Sequence, residues 1–199
     1  MNDAFFSLPE EKRDKIIKSA LRVFARNGYK KSPMNEIASE AGISKSLLFY
    51  YFRNKKELYL YLADYCARLN EELMKDMDCE GGFFDMLETG LRMRIEQMRQ
   101  YPELALFEMK GYFENAPELK EDIKRIEDMH SGDAIKFHMM RADPSEFIEG
   151  LDIEMMYRTI YYAAVGFLWE IMSEKKPDLD KMEQGYLKLI DHWRKIYLR

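Results

Sequence analysis

"SPMNEIASEAGISKSLLFYYFRNKKEL", residues 32–58, decides how this chain is read. Four rings stand in a row, Phe49, Tyr50, Tyr51 and Phe52, and the cations Arg53, Lys55 and Lys56 follow at once. On a helix, residues three or four apart share a face and adjacent residues do not. One short helix therefore cannot bury all four rings, and at least one of them faces something other than the protein's own core. Upstream, Met34, Ile37, Ala38 and Ala41 form the apolar face of a short helix. Ser32 suits its N-cap and Pro33 its first position. Gly42 ends that helix and permits a positive φ in the turn. Ser44 suits the cap of the next helix, which turns Leu48 and Phe52 inward. Two short helices about three residues apart, behind a longer one, have the helix-turn-helix pattern. By spacing alone they equally fit an ordinary helical hairpin.

The longer helix precedes this stretch, in "PEEKRDKIIKSALRVFARNG" (9–28). Pro9, Glu10 and Glu11 suit its start and Gly28 its stop. Ile16, Ala20 and Phe24, with Ile17 and Leu21, recur at helical spacing. Downstream, helices are expected over about 55–77, 83–100, 102–115, 117–140, 152–175 and 178–198. They are divided by "CEGG" (79–82) and by Pro102, Pro117, Pro144 and Pro177. The fold class is all-α: a three-helix head, residues 1–62, joined to a larger helical bundle, residues 63–199.

Charge separates the two parts. Residues 1–62 carry 12 Lys/Arg against 7 Asp/Glu, whereas residues 63–199 carry 19 against 29. A basic head on an acidic body points the head alone at a polyanion. Cys66 and Cys79 make no disulfide framework, which fits a reducing cytoplasm. The longest apolar run, "YYAAVGFLW" (161–169), is far short of the ~20 residues of a membrane span. No signal peptide is expected at the N-terminus.

Residues 32–58 resemble the head of the TetR family of one-component transcriptional regulators. Ile37-Ala38, Ala41-Gly42, Ser44, Leu48, Tyr51-Phe52, Asn54-Lys55 and Leu58 fall on that family's pattern, and "ALRVFARNGY" (20–29) resembles its first helix. The likeness implies a homodimer. Each head would lay the helix 44–52 in a major groove of a double-stranded operator. Each body would bind a small-molecule effector and dimerise through its last two helices. The sequence departs from the pattern at three positions. Leu47 stands where Thr is frequent, which removes a hydroxyl and leaves an apolar group able to touch a thymine methyl. Phe49 replaces a usual Tyr, and Pro33 a common Ser or Thr.

The residues expected at DNA are Ser32, Asn35, Ser44, Lys45, Ser46, Leu47, Tyr50, Tyr51 and Lys55. Lys45 and Ser46 lie in the first turn, the part of a recognition helix that reaches base edges. Tyr50, Tyr51 and Lys55 suit phosphates, which position a protein without reading sequence. Phe49 is expected to pack. In the body, Met93, Phe107, Tyr112, Phe113, Tyr161, Tyr162 and Trp169 are the candidates for an apolar effector cavity with tyrosine hydroxyls as polar handles. Each of them taken singly suits a plain core better. Segments 155–172 and 186–198 suit a dimer interface. No cofactor and no metal are expected. Glu127 and His130 form one Glu-x-x-His pair with Asp133 a turn on, whereas di-iron bundles use two such motifs and two further glutamates. His138 and His192 are isolated. An all-helical enzyme with an apolar or metal site is the alternative reading.

Overall fold

The computed structural model describes residues 2–75, 77, 81–112, 114–174 and 178–199, with the backbone alone at 112, 131–141 and 172. The expected Phe113, Cys79 and Pro177 lie outside the described residues. Among the described residues ten α-helices follow one another: α1 Asp3–Phe6, α2 Glu10–Lys31, α3 Met34–Ala41, α4 Lys45–Tyr51, α5 Lys55–Lys75, α6 Phe83–Gln100, α7 Pro102–Tyr112, α8 Pro117–Arg141, α9 Ile153–Met172 and α10 Leu179–Tyr197. Pro102 and Pro117 each open a helix, where a missing N–H costs nothing. Pro144 opens a 3₁₀ turn, Pro144–Glu146. Phe147 and Leu198 form an isolated antiparallel bridge beside it.

Two compact units result, Met1–Leu69 with Tyr101–Met129, and Asn70–Gln100 with His130–Arg199. Each has its own core. In the first, Ile16, Phe24, Ile37, Leu48, Phe52, Leu58 and Leu62 are buried, and α7 adds Leu104 and Phe107. In the second, Phe83, Phe84 and Met86 of α6 meet Phe147, Met156, Tyr157, Ile160, Ile190 and Trp193. There α6 and α10 are also joined by charge: Arg92 reaches Glu183 at 2.9 Å and Arg194 reaches Asp85 at 2.8 Å. Tyr186 of α10 donates its hydroxyl to the Ala164 carbonyl of α9 at 2.6 Å.

The N-terminal part differs from the sequence reading in three ways. First, α1 is an unforeseen element. Asn2 caps it by accepting from the Ala4 N–H, and its Phe5 ring is fully buried 4.8 Å from Phe52 and 5.9 Å from Tyr51. Second, Gly28 interrupts α2 without ending it. Its φ of 73° and ψ of 171° lie where glycine alone is at ease, and one further turn runs to Lys31. The Glu114 carboxylate accepts the Tyr29 N–H at 3.1 Å, satisfying a donor near that break. Third, Ser32 does not cap α3; Pro33 occupies the N-cap position. Ser32 is buried and donates its hydroxyl to the Gly28 carbonyl at 2.7 Å, closing the end of α2.

Candidate nucleic-acid interface

Helix α4 is placed by its ends and its inner face. Gly42 turns the chain with φ 70° and ψ 32°, a left-handed conformation, and the Ile43 N–H reaches back to the Ala38 carbonyl at 3.0 Å. Ser44 then caps α4 by accepting the Leu47 N–H at 3.1 Å. The capping role expected of Ser44 is therefore seen. After α4, Asn54 accepts the Glu57 N–H and Glu57 accepts the Arg53 N–H, both at 2.8 Å, which starts α5 firmly. Leu48, Tyr51 and Phe52 fill the inner face.

The exposed face of α4 carries Lys45, Ser46, Leu47, Phe49 and Tyr50. Tyr50 stands out at 57% exposure, with Leu47 and Phe49 at 36% each. The Lys45 ammonium lies 5.7 Å from the Phe49 ring centre. Two expectations are corrected here. Tyr51 is a core residue at 6% exposure, because it follows Leu48 by three positions and so shares its face, where Phe5 covers it. Phe49 is outside, because it neighbours Leu48 by one position and turns away from that face. Of the four consecutive rings, Phe49 and Tyr50 are thus the two that leave the core.

The head exposes further cations. Lys30 and Lys31 at the end of α2 are exposed, as are Asn35 on α3 and Arg53 beyond α4. The sequence reading did not single out Lys30 and Lys31; the "YKKSP" run after the first helix was their signal. Lys55 donates to the Lys30 carbonyl at 2.9 Å and lies 4.8 Å from the Tyr29 ring centre. An ammonium has three donors, so this bond does not exhaust it. The acids of α3 are engaged by arginines of α2. Glu36 and Glu40 pair with Arg26, and Glu40 also meets Arg22 at 3.4 Å. Among the described residues no carboxylate pairs with Lys30, Lys31 or Lys45. Ser32, by contrast, has its hydroxyl committed inside the fold.

The described residues expected at an effector are divided between the two units. Phe107 is buried in the first unit, 5.0 Å from Tyr59 and 6.3 Å from Phe24, as a wedge of α7 against α2. Met93 and Tyr161 lean on the core of the second unit. Tyr162 and Trp169 stand on the exposed face of α9 at 66% and 44% exposure. Phe113 lies outside the described residues, and the side chain of Tyr112 does also. A cleft of the first unit lined by Ile17, Leu21, Tyr65, Tyr101 and Leu104 has a volume of about 10 Å³, at most a single water's worth. His130 of the Glu-x-x-His pair meets Glu71 at 3.0 Å.

On α9 another pattern emerges. Met155, Tyr162 and Trp169 recur every seven residues, all exposed, with Thr159 and Gly166 exposed between them. A 3–4 alternation of this kind is the pattern of a helix that packs along another helix. Among the described residues no helix is long and apolar enough to cross a membrane.

Known proteins share this arrangement. The family model described as "Bacterial regulatory proteins, tetR family" matches residues 16–62, the helices α2 to α4 and the start of α5. The fatty acid metabolism regulator protein of Bacillus subtilis is 24% identical over 189 residues, 91% of this chain and 96% of that protein. Two further curated relatives match over 68 and 51 residues, and this chain spans about a quarter of their length. Among solved structures, a TetR family transcriptional regulator from Chloroflexus aurantiacus superposes with a TM-score of 0.75 at 21% identity, covering 100% of this chain and 98% of that one. The structure of AibR in complex with isovaleryl coenzyme A and operator DNA gives 0.68 at 21% identity, covering 90% and 97%. Head and fold agree: residues 16–62 match the tetR family of bacterial regulatory proteins, and the whole chain has the fold of a solved TetR family transcriptional regulator.

Proposed function

We propose that this regulator is a homodimeric repressor that leaves its operator when a small, largely apolar or aromatic effector binds. Residues 1–62 serve as the DNA-reading domain and residues 63–199 as the effector-binding and dimerising domain. The observation that carries the reading is the outer face of α4: a cation and two rings turned to solvent on a helix whose other face is locked by Leu48, Tyr51 and Phe52. Lys45, Ser46, Leu47, Phe49 and Tyr50 meet base edges and sugar-phosphate. Ser44, Asn35, Lys30, Lys31 and Lys55 flank them. The exposed stripe of α9, with α10, pairs with its copy on a second subunit. Two recognition helices enter successive major grooves when they stand about 34–36 Å apart. An effector that prefers a body conformation with another spacing weakens DNA binding by its differential affinity for the two states.

For the effector, an apolar acyl group carried by coenzyme A is the class to test. The fold-mate named above was solved with isovaleryl coenzyme A and operator DNA, and the relative that spans the chain is named for fatty acid metabolism. The decisive experiment is binding of the purified protein to duplex fragments from its own upstream region over a salt series. A specific shift that weakens with salt, and weakens again with Lys45→Ala or Tyr50→Ala, supports the reading. Titration with acyl-coenzyme A thioesters of increasing chain length should then release the DNA. Binding that ignores both substitutions would move the recognition surface elsewhere, and no binding even at low salt would overturn the regulator reading.

A further inference from the structure

The composition of the outer face of α4 limits what it can read. Side chains that distinguish bases by paired hydrogen bonds are Arg or Lys for guanine, Asn or Gln for adenine, and Asp or Glu for cytosine. Helix α4 is Lys45-Ser46-Leu47-Leu48-Phe49-Tyr50-Tyr51, and only Lys45 belongs to that set. Leu48 and Tyr51 are buried. What remains outside is one cation, two hydroxyls and the apolar surfaces of Leu47, Phe49 and Tyr50. At 100° per residue, with Leu48, Tyr51 and Phe52 facing in, Ser46 and Tyr50 point straight out. Leu47 and Phe49 lie on the two shoulders, in keeping with their lower but equal exposure. In the major groove the one apolar group on a base edge is the C5-methyl of thymine.

We infer that Leu47 and Phe49 determine operator specificity by packing on thymine methyl groups, one on each shoulder of α4, while Lys45 supplies the polar base contact. This rests on the DNA-reading role of α4 proposed above. The apolar shoulders are not a docking site for another protein, because a cation attends them: the exposed Lys45 holds its ammonium 5.7 Å from the Phe49 ring centre, and Arg53, just beyond α4, is exposed as well. Such a surface fits a polyanion that also presents methyl groups. The rest of the exposed face is consistent with this. The Lys45 ammonium sits near the Phe49 ring, so burial of that ring against a base edge brings the cation to the groove as well.

The experiment uses the full-length protein and does not require the operator to be identified beforehand. A duplex pool with a random central segment is made twice, once with thymine and once with uracil, which lacks only the C5-methyl. Binders are enriched from the thymine pool and each enriched duplex is remade with single thymine-to-uracil replacements. The expected result is a loss of about fourfold at each contacted position, the effect of one buried methyl-sized group. Leu47→Ala should abolish the loss at one set of positions and Phe49→Ala at another. Both side chains are exposed, so the variants should fold, and helical content by circular dichroism checks that they do. If wild-type protein binds thymine and uracil duplexes equally while Lys45→Ala still weakens binding, the methyl inference is overturned and the role of α4 stands. If nothing is enriched from the pool, the DNA reading fails and this inference fails with it.

Discussion

Helices α4 and α9 both turn large apolar side chains to solvent, and the difference between them lies in the neighbours. On α4, Leu47, Phe49 and Tyr50 share the helix with exposed Lys45, whose ammonium lies 5.7 Å from the Phe49 ring centre, and exposed Arg53 follows the helix. On α9, Met155, Tyr162 and Trp169 alternate with Thr159 and Gly166 in a stripe whose one flanking cation, Arg158, is paired with Glu154 at 3.0 Å. Exposed apolar area of this size marks an interaction surface in both cases. On the reading proposed above, charge decides the partner: a polyanion for the first, a second helix surface for the second. The inner faces are alike. Leu48, Tyr51 and Phe52 anchor α4 as Met156, Tyr157 and Ile160 anchor α9.

The sharpest test of that division sets Tyr51 against its neighbour Tyr50. Tyr51→Ala empties a site between Phe5 and the inner face of α4, and loss of a buried ring costs about 3–5 kcal/mol. Urea denaturation should show a marked fall in the midpoint. Tyr50→Ala should leave that midpoint within about 0.5 kcal/mol of wild type and act on DNA binding alone. If Tyr50→Ala destabilised the fold as much as Tyr51→Ala, the inside-outside division of α4 would be wrong.

The matching test on α9 is Trp169→Ala. As an aromatic anchor of a dimer interface it should weaken self-association by about 2 kcal/mol, some 30-fold. Sedimentation over a dilution series reads that shift directly. The midpoint of monomer unfolding should hardly move. A monomeric wild-type protein at micromolar concentration would remove the α9 stripe from the interface.

Two glycines sharpen the comparison at smaller magnitude. Gly42 has φ 70°, so Gly42→Ala places an L residue in a left-handed turn at a cost of about 1–2 kcal/mol and tilts α4 away from its seat. Gly166 sits in the middle of α9 with nothing within 4 Å of where a Cβ would stand. Gly166→Ala should therefore stabilise the monomer by about 0.5–1 kcal/mol through helix propensity while crowding the partner helix. Opposite signs in thermal unfolding at low protein concentration are the expected outcome.

How much of this was legible in the sequence follows from which residues speak locally. The turn at Gly42, the cap at Ser44 and the inward pair Leu48 and Phe52 are visible in a window of a dozen residues, because each rests on backbone geometry or helical period. The position of Tyr51 was legible in the same period, as a three-residue step from Leu48, but its cover comes from Phe5, some 46 residues away, on a four-residue helix with no periodicity to announce it. Ser32 misled for a related reason. A serine before a proline has the signature of a helix start, and only the break at Gly28 shows that it closes the preceding helix instead. In the body, Pro102 and Pro117 located helix starts, yet no pattern within a helix could tell Phe107, buried on Phe24 and Tyr59, from Trp169, exposed on α9.

The smallest expected effect concerns how the inner face of the α9–α10 layer is tied to α6. Asp85 accepts the Gly82 N–H at 3.1 Å and an Arg194 N–H at 2.8 Å, so one carboxylate caps α6 and holds α10. The guanidinium first, and the Gly82 N–H after it, hold its pKa below the ordinary carboxylate range. A depressed folded-state pKa means that the unfolded chain binds the proton more readily. The contribution is therefore complete above the unfolded value, near 4, and is lost as pH falls through the lower folded value. Because the Asp85 side chain is about half exposed, solvent screens the pair and the effect should stay under about 1 kcal/mol. Asp85→Asn should lower stability slightly at neutral pH and shrink the difference from wild type below pH 4. A difference that grew with acid would mean that the carboxylate is not the partner of Arg194 in solution. No such acid dependence is expected of Ser44→Ala at the start of α4, where an uncharged hydroxyl makes the cap and its loss costs about 1 kcal/mol at any pH. The two caps thus separate the regions once more, a titrating one in the acidic body and a neutral one beside the surface proposed to meet phosphate.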